Sequence, residues 1–344
     1  MNIFLDNIIF SLQKSGGISS YWYELLTRII EDEKFEVRYL EDLNCESNIF
    51  RKNLNIEITN LQFCKTNFLS RIFPIKIQNS QNAIFHSSYY RYTNNKNSKV
   101  ITTVHDFIQE KVNNSNLGFN SIMKRRAIMN SDEIIVISEN TKTDLLNFFP
   151  KIDPDKIHVI YNGVSDSYYP INNLIQDTFD SILFVGSRVD YKNFDLAIDV
   201  ASKFSKLKFN IVGNALSKNE LKLLNSKLGP DRWNFILNPT NHELNKIYNK
   251  SALLLYPSSY EGFGIPIIEA MKAGCPVLAL NSSSIPEVAG NAAVLVNNST
   301  IDEYYDGIQQ ILRNRECYVK LGYLNADKFS WNKTYLETIK LYKN

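Results

Sequence analysis

Short apolar runs of strand length alternate with stretches of helical spacing along this chain, and the alternation runs through once, breaks, and starts again. In the first series the runs are Asn2 to Asp6, Val37 to Leu40, Ala83 to Phe85, Val100 to Val104, Ile134 to Ile137 and Ile157 to Ile160. Short apolar runs of this kind suit strands covered on both faces of a parallel sheet. Ile18, Tyr21, Trp22, Leu25, Leu26, Ile29 and Ile30 recur at helical spacing, which predicts a helix over 18–30. A polar, turn-rich stretch from Asn162 to Asp180 reads as a linker. The second series follows at Ile182 to Val185, Phe209 to Val212, Phe235 to Leu237, Leu253 to Tyr256, Val277 to Leu280 and Ala293 to Val296. Strand and helix in alternation make doubly wound α/β layers. Two such series in 344 residues, at about 150 residues per domain, predict two Rossmann-like domains facing each other across a cleft.

The most informative stretch for function is Tyr260-Glu261-Gly262-Phe263-Gly264-Ile265-Pro266-Ile267-Ile268-Glu269-Ala270-Met271. Pro266 suits a first helical turn and Gly274 the position past the last one, so helix boundaries near 266 and 273 follow. Pro257 to Ile265 then joins a buried strand to a helix, the kind of loop that holds ligands in parallel α/β sheets. Backbone N–H groups and the positive dipole end favour an anion there, and Gly262 and Gly264 allow close approach. Carboxylates would repel that anion, so Glu261 and Glu269 are better suited to accepting hydrogen bonds from hydroxyls. Hydroxyls beside a phosphate describe a nucleotide sugar, or something close to it.

A second strand-to-helix loop carries Gly186, Arg188 and Lys192. Two cations there can neutralise a diphosphate as charge builds on it, or simply flank a helix start in solvent. In the first half, Gly16 and Gly17 offer backbone N–H groups at the start of the 18–30 helix. His105, at a strand end, is either a partner for a substrate hydroxyl or a packed residue. The cluster His86-Ser87-Ser88-Tyr89-Tyr90-Arg91 either lines an acceptor pocket or covers the end of the sheet.

Other chemistries are not written in the chain. Neither Gly16-Gly17 nor Gly186 opens a Gly-x-Gly-x-x-Gly, and no phosphate-binding Gly-x-x-x-x-Gly-Lys-Ser/Thr or Gly-x-Ser-x-Gly elbow occurs. Cys45, Cys64, Cys275 and Cys317 lack metal-finger spacing, so no metal is expected, and their scatter fits a reducing cytoplasm. A net charge of +2 is too balanced for a nucleic-acid footprint. Asp6 interrupts the apolar start and no basic segment precedes it, so neither a signal peptide nor a spanning segment is expected.

Taken together these residues resemble the retaining glycosyltransferases of the two-domain GT-B fold, specifically glycosyltransferase family 4. The Glu-x7-Glu element from Glu261 to Glu269 carries the resemblance most specifically. Gly186 to Lys192, Ser282-Ser283-Ser284-Ile285-Pro286-Glu287-Val288, Ala289-Gly290-Asn291-Ala292-Ala293 and Phe329-Ser330-Trp331 support it. The resemblance implies that Arg188 and Lys192 clamp a donor diphosphate, Glu261 contacts the sugar and Glu269 the ribose. Amides of Phe263, Gly264 and Ile265 would meet sugar and phosphate, and the base would rest near Phe235 to Pro239, by Leu237. Gly17 would approach the diphosphate and His105 the transferred sugar. The resemblance also implies domains at 1–168 and 169–327, with the final helix, 328–344, returning to the first.

The resemblance further implies a metal-free, front-face transfer of a hexose to a glycan or lipid-linked acceptor in bacterial surface polysaccharide biosynthesis. GDP-mannose or a related GDP-sugar is the first expectation for the donor and a UDP-sugar the second. The competing reading is a catalytically silent sugar-nucleotide-binding subunit. Because such acceptors are often lipid-linked, Lys124-Arg125-Arg126 is the one candidate for peripheral membrane contact, against a plain solvated helix face. One departure stands out: Asn162-Gly163-Val164 is followed by Ser165, where the family often has Asp.

Overall fold

The computed structural model describes residues 2–32, 34–64, 71–77, 82–112, 118–171 and 179–343. It divides into two compact units, Met1–Gly163 with Trp331–Asn344, and Val164–Ser330. The division thus falls before Val164 and the return begins at Trp331, against the expected 168 and 328. A bridge between Val164 and Ser330 ties both of these crossing residues to the second unit and sets the boundary there. Residues 172–178 of the expected linker lie outside the described residues.

The first unit is built on seven strands: β1 (Asn2–Asp6), β2 (Glu36–Glu41), β3 (Leu61–Phe63), β4 (Ala83–Ser87), β5 (Ser98–Val104), β6 (Glu133–Val136) and β7 (Ile157–Val159). They run in the order β3-β2-β1-β4-β5-β6-β7, with every pair parallel. The helix Gly17–Glu31 buries Tyr21, Trp22, Leu25, Leu26 and Ile29, the stripe its spacing predicts. That stripe shares one apolar core with Ile3 and Leu5 of β1 and with Trp331, Tyr335, Ile339 and Tyr342 of the last helix, Trp331–Lys343. Polar contacts fix the last helix: Arg28 Nε donates to Asn332 Oδ1 at 2.6 Å, and Thr334 Oγ1 to the Tyr161 carbonyl at 2.6 Å.

The second unit has six strands: β8 (Ser181–Val185), β9 (Lys208–Gly213), β10 (Trp233–Leu237), β11 (Leu253–Tyr256), β12 (Val277–Leu280) and β13 (Ala293–Val296). Their order is β10-β9-β8-β11-β12-β13, again wholly parallel. The central strands read as unbroken apolar runs because both faces are covered: Leu253, Leu254 and Leu255 are fully buried. Strand order reverses between β8 and β11. In an open parallel sheet the crevice beyond the carboxyl ends at such a reversal is where ligands bind. The loops that leave β8 and β11 are the two singled out by their cations and carboxylates.

Candidate functional site

Three loops of the second unit are laced together at the carboxyl ends of its strands. After β8, a single turn of 3-10 helix spans Asp190–Lys192, and Asn193 follows in the left-handed region at φ 51°. That reversal lets the Asn193 side chain donate to the Pro257 carbonyl in the loop after β11, at 2.8 Å. In return, the Ser259 N–H donates to the Tyr191 carbonyl at 2.8 Å. From the loop after β12, Ser282 Oγ donates to the Ser259 carbonyl at 2.5 Å, and Ser284 Oγ to the carbonyls of Glu261 and Phe263 at 2.9 and 3.1 Å. The Glu261 N–H is itself bound by Ser283 Oγ at 2.8 Å. The frame around Glu261 is therefore fixed on three sides before any ligand is considered.

Within this frame Lys192 and Glu261 form a charge pair, with side chains only 12% and 10% exposed. Tyr256, the last residue of β11, donates its hydroxyl to the same Oε1 at 2.7 Å. Burial and the Glu261 carboxylate hold the Tyr256 phenol well above its usual range, so it remains a donor. Lys192 also lies 5.4 Å from the Tyr256 ring centre, on a face that attracts a cation.

Gly264 caps the next helix, Ile265–Lys272, at φ 98°, and Pro266 stands in the first turn, where the missing N–H costs nothing. The left-handed φ disfavours any side chain at 264, and an added Cβ would sit 3.1 Å from Ile267 Cδ1. The helix closes at Gly274, φ 82°, with the Cys275 N–H bonded back to the Ala270 carbonyl at 2.8 Å. Glu269 rides on this helix. Burial raises its carboxyl to about 7, against the pull of its hydrogen bond with Tyr248. Phe263 is buried edge-on against Phe329 at 5.6 Å, and Gly262 leads into it.

Arg188 is engaged differently from its neighbour in sequence. Its Nε pairs with Glu220 Oε1 at 2.5 Å, and its Nη2 donates to the carbonyls of Asn214 and Ala215 at 2.7 and 2.8 Å. Its Nη1 is buried without a partner. The ring of Phe194 at 5.7 Å and that of Phe235 at 5.9 Å lie by the guanidinium. Gly213, at the end of β9, makes this arrangement fit: a Cβ there would overlap the Gly186 carbonyl oxygen and stand 3.1 Å from Arg188 Nη1. Gly186 itself has φ 140°. Leu237, paired across to Gly213 at the end of β10, is 56% exposed and offers an apolar surface at that corner.

The structure thus brings Lys192, Glu261 and Tyr256 into direct contact and places Arg188 with Glu220. Residues that the sequence did not single out for the site are Tyr256, Gly213, Glu220, Tyr168 and Tyr248. Tyr256 stood in view as the last residue of a strand run, and Ser283 and Ser284 within a family element; the others become visible only through long-range contacts.

Gly16, Gly17 and His105 belong to the first unit. Gly16 precedes the helix Gly17–Glu31 in extended backbone, and a Cβ on it would meet Gln13 Oε1 at 2.7 Å; one on Gly17 would meet nothing within 4 Å. His105 is 5% exposed, packs edge-on to Tyr21 at 5.0 Å, and has a buried Nε2 without a partner. Burial, assisted by the Lys124 charge, lowers its pKa to about 3, so the imidazole is neutral.

Two clusters of the first unit do not stand open to solvent. In the run from His86 to Arg91, which begins inside β4, burial favours the reading in which it covers the end of the sheet: His86 is fully buried, with Nδ1 2.6 Å from Tyr342 Oη and Nε2 2.9 Å from Thr103 Oγ1. Arg91 is likewise buried in an ion pair with Asp6 at the end of β1, reinforced by Ser87. Nor do Lys124, Arg125 and Arg126 form one basic face. Lys124 is 2% exposed, paired with Glu110 at 2.8 Å and bonded to the Asp106 carbonyl at 2.8 Å. Arg126 donates to Tyr92 Oη at 2.9 Å, which leaves Arg125 as the exposed member.

Among the described residues, no group of three or more His, Cys, Asp or Glu side chains is gathered in a way that could hold a metal ion, and no helix is long and apolar enough to cross a membrane.

Two parallel Rossmann-like units in one chain make up the GT-B fold. The fold is that of sucrose-phosphate synthase from Thermosynechococcus elongatus, with a TM-score of 0.77 at 16% identity over 100% of this chain and 98% of that one. It is also that of Anabaena HepE, solved in complex with UDP-glucose, with a TM-score of 0.74 at 15% identity over 99% of each chain. Residues 15–168 match the family model described as Glycosyltransferase Family 4, and residues 169–327 that described as Glycosyl transferases group 1. The chain belongs to this family of glycosyltransferases. Over 106 residues it is 38% identical to the O-antigen chain mannosyltransferase B of Escherichia coli, a stretch that is 30% of this chain and 28% of that protein. The chain therefore spans less than a third of the length of that curated relative.

Proposed function

We propose that the protein transfers a hexose, mannose in the first instance, from a nucleoside-diphosphate sugar to a glycan or lipid-linked saccharide during assembly of a bacterial surface polysaccharide. The observation that carries this reading is the partly buried Lys192–Glu261 pair at the strand-order reversal of the second unit. Likeness to an O-antigen mannosyltransferase supports mannose, and with it a GDP-sugar; likeness to a protein solved with UDP-glucose keeps a UDP-sugar as the second choice.

Lys192 would lie against the diphosphate, where an ammonium stabilises the charge that grows as the sugar leaves. Arg188, fixed by Glu220, would offer its remaining nitrogen to the same anion. The first turn of the helix Ile265–Lys272, opened by Gly264, would add N–H groups and the positive end of its dipole. Glu261 would accept hydrogen bonds from sugar hydroxyls and Glu269 from the ribose, with the base by Leu237. No metal is assigned, because these cations meet the charge that a divalent ion otherwise would.

The step proposed is a front-face substitution that retains configuration. The bond from the anomeric carbon to the β-phosphate oxygen breaks, and the acceptor oxygen bonds that carbon from the same side. The acceptor proton passes to the departing phosphate oxygen, and the nucleoside diphosphate leaves. Glu261 is neither base nor nucleophile in this scheme, since Lys192 and Tyr256 already occupy the same carboxylate oxygen. Thermal melting of the purified protein against GDP, UDP and their hexose conjugates tests the reading. A rise in melting temperature with at least one of them is expected, and no response to any would overturn it.

A further inference from the structure

The geometry points to Tyr248, braced by Tyr168, as the positioning pair that aims the Glu269 carboxylate at the donor ribose, with Tyr168 held in place by a ladder of asparagines on one helix. This inference rests on the nucleotide-sugar reading and deepens it.

Tyr248 is fully buried on the helix Asn241–Lys250 and donates its hydroxyl to Glu269 Oε2 at 3.1 Å. Tyr168, 2% exposed, packs edge-on to the Tyr248 ring at 5.8 Å, and burial together with the Glu269 carboxylate holds its phenol above its usual range. Tyr168 lies on a segment with no helix or strand of its own, so something else must hold it. Three asparagines spaced four apart, Asn241, Asn245 and Asn249, share one helix face toward it. Tyr168 Oη donates to Asn241 Oδ1 at 3.4 Å, and the Tyr169 N–H to Asn245 Oδ1 at 3.1 Å. The Ile171 N–H donates to Asn249 Oδ1 at 2.8 Å, while Asn249 Nδ2 returns a bond to the Tyr169 carbonyl at 3.0 Å. Asn245 and Asn249 also bond to each other at 3.1 Å.

An isolated carboxylate on a helix can rotate among several rotamers, and it delivers affinity only when ordering it costs little. A phenol that donates to it, with its ring braced by a second one, removes that freedom. The Tyr248 hydroxyl also finds there the partner that a buried donor needs. The asparagine ladder is thus tied, through Tyr168, to the proposed ribose end of the site.

The test is a binding cycle by calorimetry with GDP and UDP and their 2′,3′-dideoxy counterparts, on wild type, Tyr248→Phe and Tyr168→Phe. Each change removes one hydroxyl and keeps the ring, and a melting curve checks the fold. Wild type is expected to prefer the ribose form, and each variant to lose about 5- to 10-fold in affinity for it while binding the dideoxy form nearly as wild type does. A purely structural role would weaken both forms alike, and that result overturns the inference, as does an unchanged ribose preference in both variants. If wild type binds neither GDP nor UDP, the nucleotide-sugar reading falls and this inference with it. If wild type binds the ribose form and the variants keep its preference, only this inference falls.

Discussion

Replacing Lys192 by Met removes one charge from the site while keeping most of the side-chain volume, and the structure sets what should follow. The Lys192 and Glu261 side chains are each about nine-tenths covered, at 12% and 10% exposure. Removing one member of a fully buried pair costs roughly 3–5 kcal/mol. Here Tyr256 still donates to Glu261 at 2.7 Å, and some water reaches both groups, so a loss of about 1–2 kcal/mol in stability is expected. The catalytic loss should be larger. An ammonium that meets charge developing on the leaving diphosphate is worth about 100-fold or more in turnover, near 2.7 kcal/mol. Because that charge grows toward the transition state, kcat should fall further than KM rises. Release of nucleoside diphosphate, followed by a coupled assay at saturating donor, reads kcat directly, and a denaturant titration reads stability. A folded Lys192→Met protein with kcat within about threefold of wild type would refute the assignment of Lys192 to the leaving group.

Glu269 predicts a pH effect. Its carboxyl is raised to about 7 by burial, against an ordinary value of 4.5, so the native state holds a proton that the unfolded chain has already lost between those values. Stability should therefore fall as pH rises from about 4.5 to 7, and Glu269→Gln should remove that decline, on the order of 3 kcal/mol in total, as read by urea titrations across the range. Equal slopes in both proteins would contradict it. Gly213→Ala places a methyl group against the Gly186 carbonyl and Arg188 Nη1, and should displace that loop and weaken nucleotide affinity about 10-fold or more by calorimetry, whereas wild-type affinity would show that Arg188 needs no such seat.

Much of the fold is legible in the chain because its central strands are buried on both faces and so read as unbroken apolar runs. Leu253 to Leu255 and Val277 to Ala279 are fully covered, and no other element explains them. Leu61–Phe63 is not foreseen, since an edge strand of three residues with Phe63 56% exposed carries no such signal. The return of Trp331–Lys343 to the first unit is foreseen only through the family resemblance, since periodicity does not say which core takes Trp331 and Tyr342.

At the site, glycine and proline chemistry announces the loop: Gly264 needs a left-handed φ, and Pro266 a first turn. Spacing alone suggests that Arg188 and Lys192 act as a pair. The turn at Asp190–Lys192 and the left-handed Asn193 instead leave Lys192 on Glu261, while Arg188 pairs with Glu220. Charge runs mislead for the same reason. Lys124 stands beside two arginines in sequence, but its helix turns it inward onto Glu110. Tyr168 and Tyr248 meet Glu269 from two separate segments, and no local pattern marks either one.

The proposed activity requires the second unit's carboxylate and cation loops to bind and cleave a nucleoside-diphosphate sugar. The deciding experiment incubates the purified protein with GDP-mannose, GDP-glucose, UDP-glucose and UDP-galactose and follows diphosphate release with saccharide acceptors present and absent. Acceptor-stimulated release from one donor, GDP-mannose first, that is lost in Lys192→Met is the predicted result; release that proceeds unchanged in Lys192→Met, or from no donor at all, would contradict it.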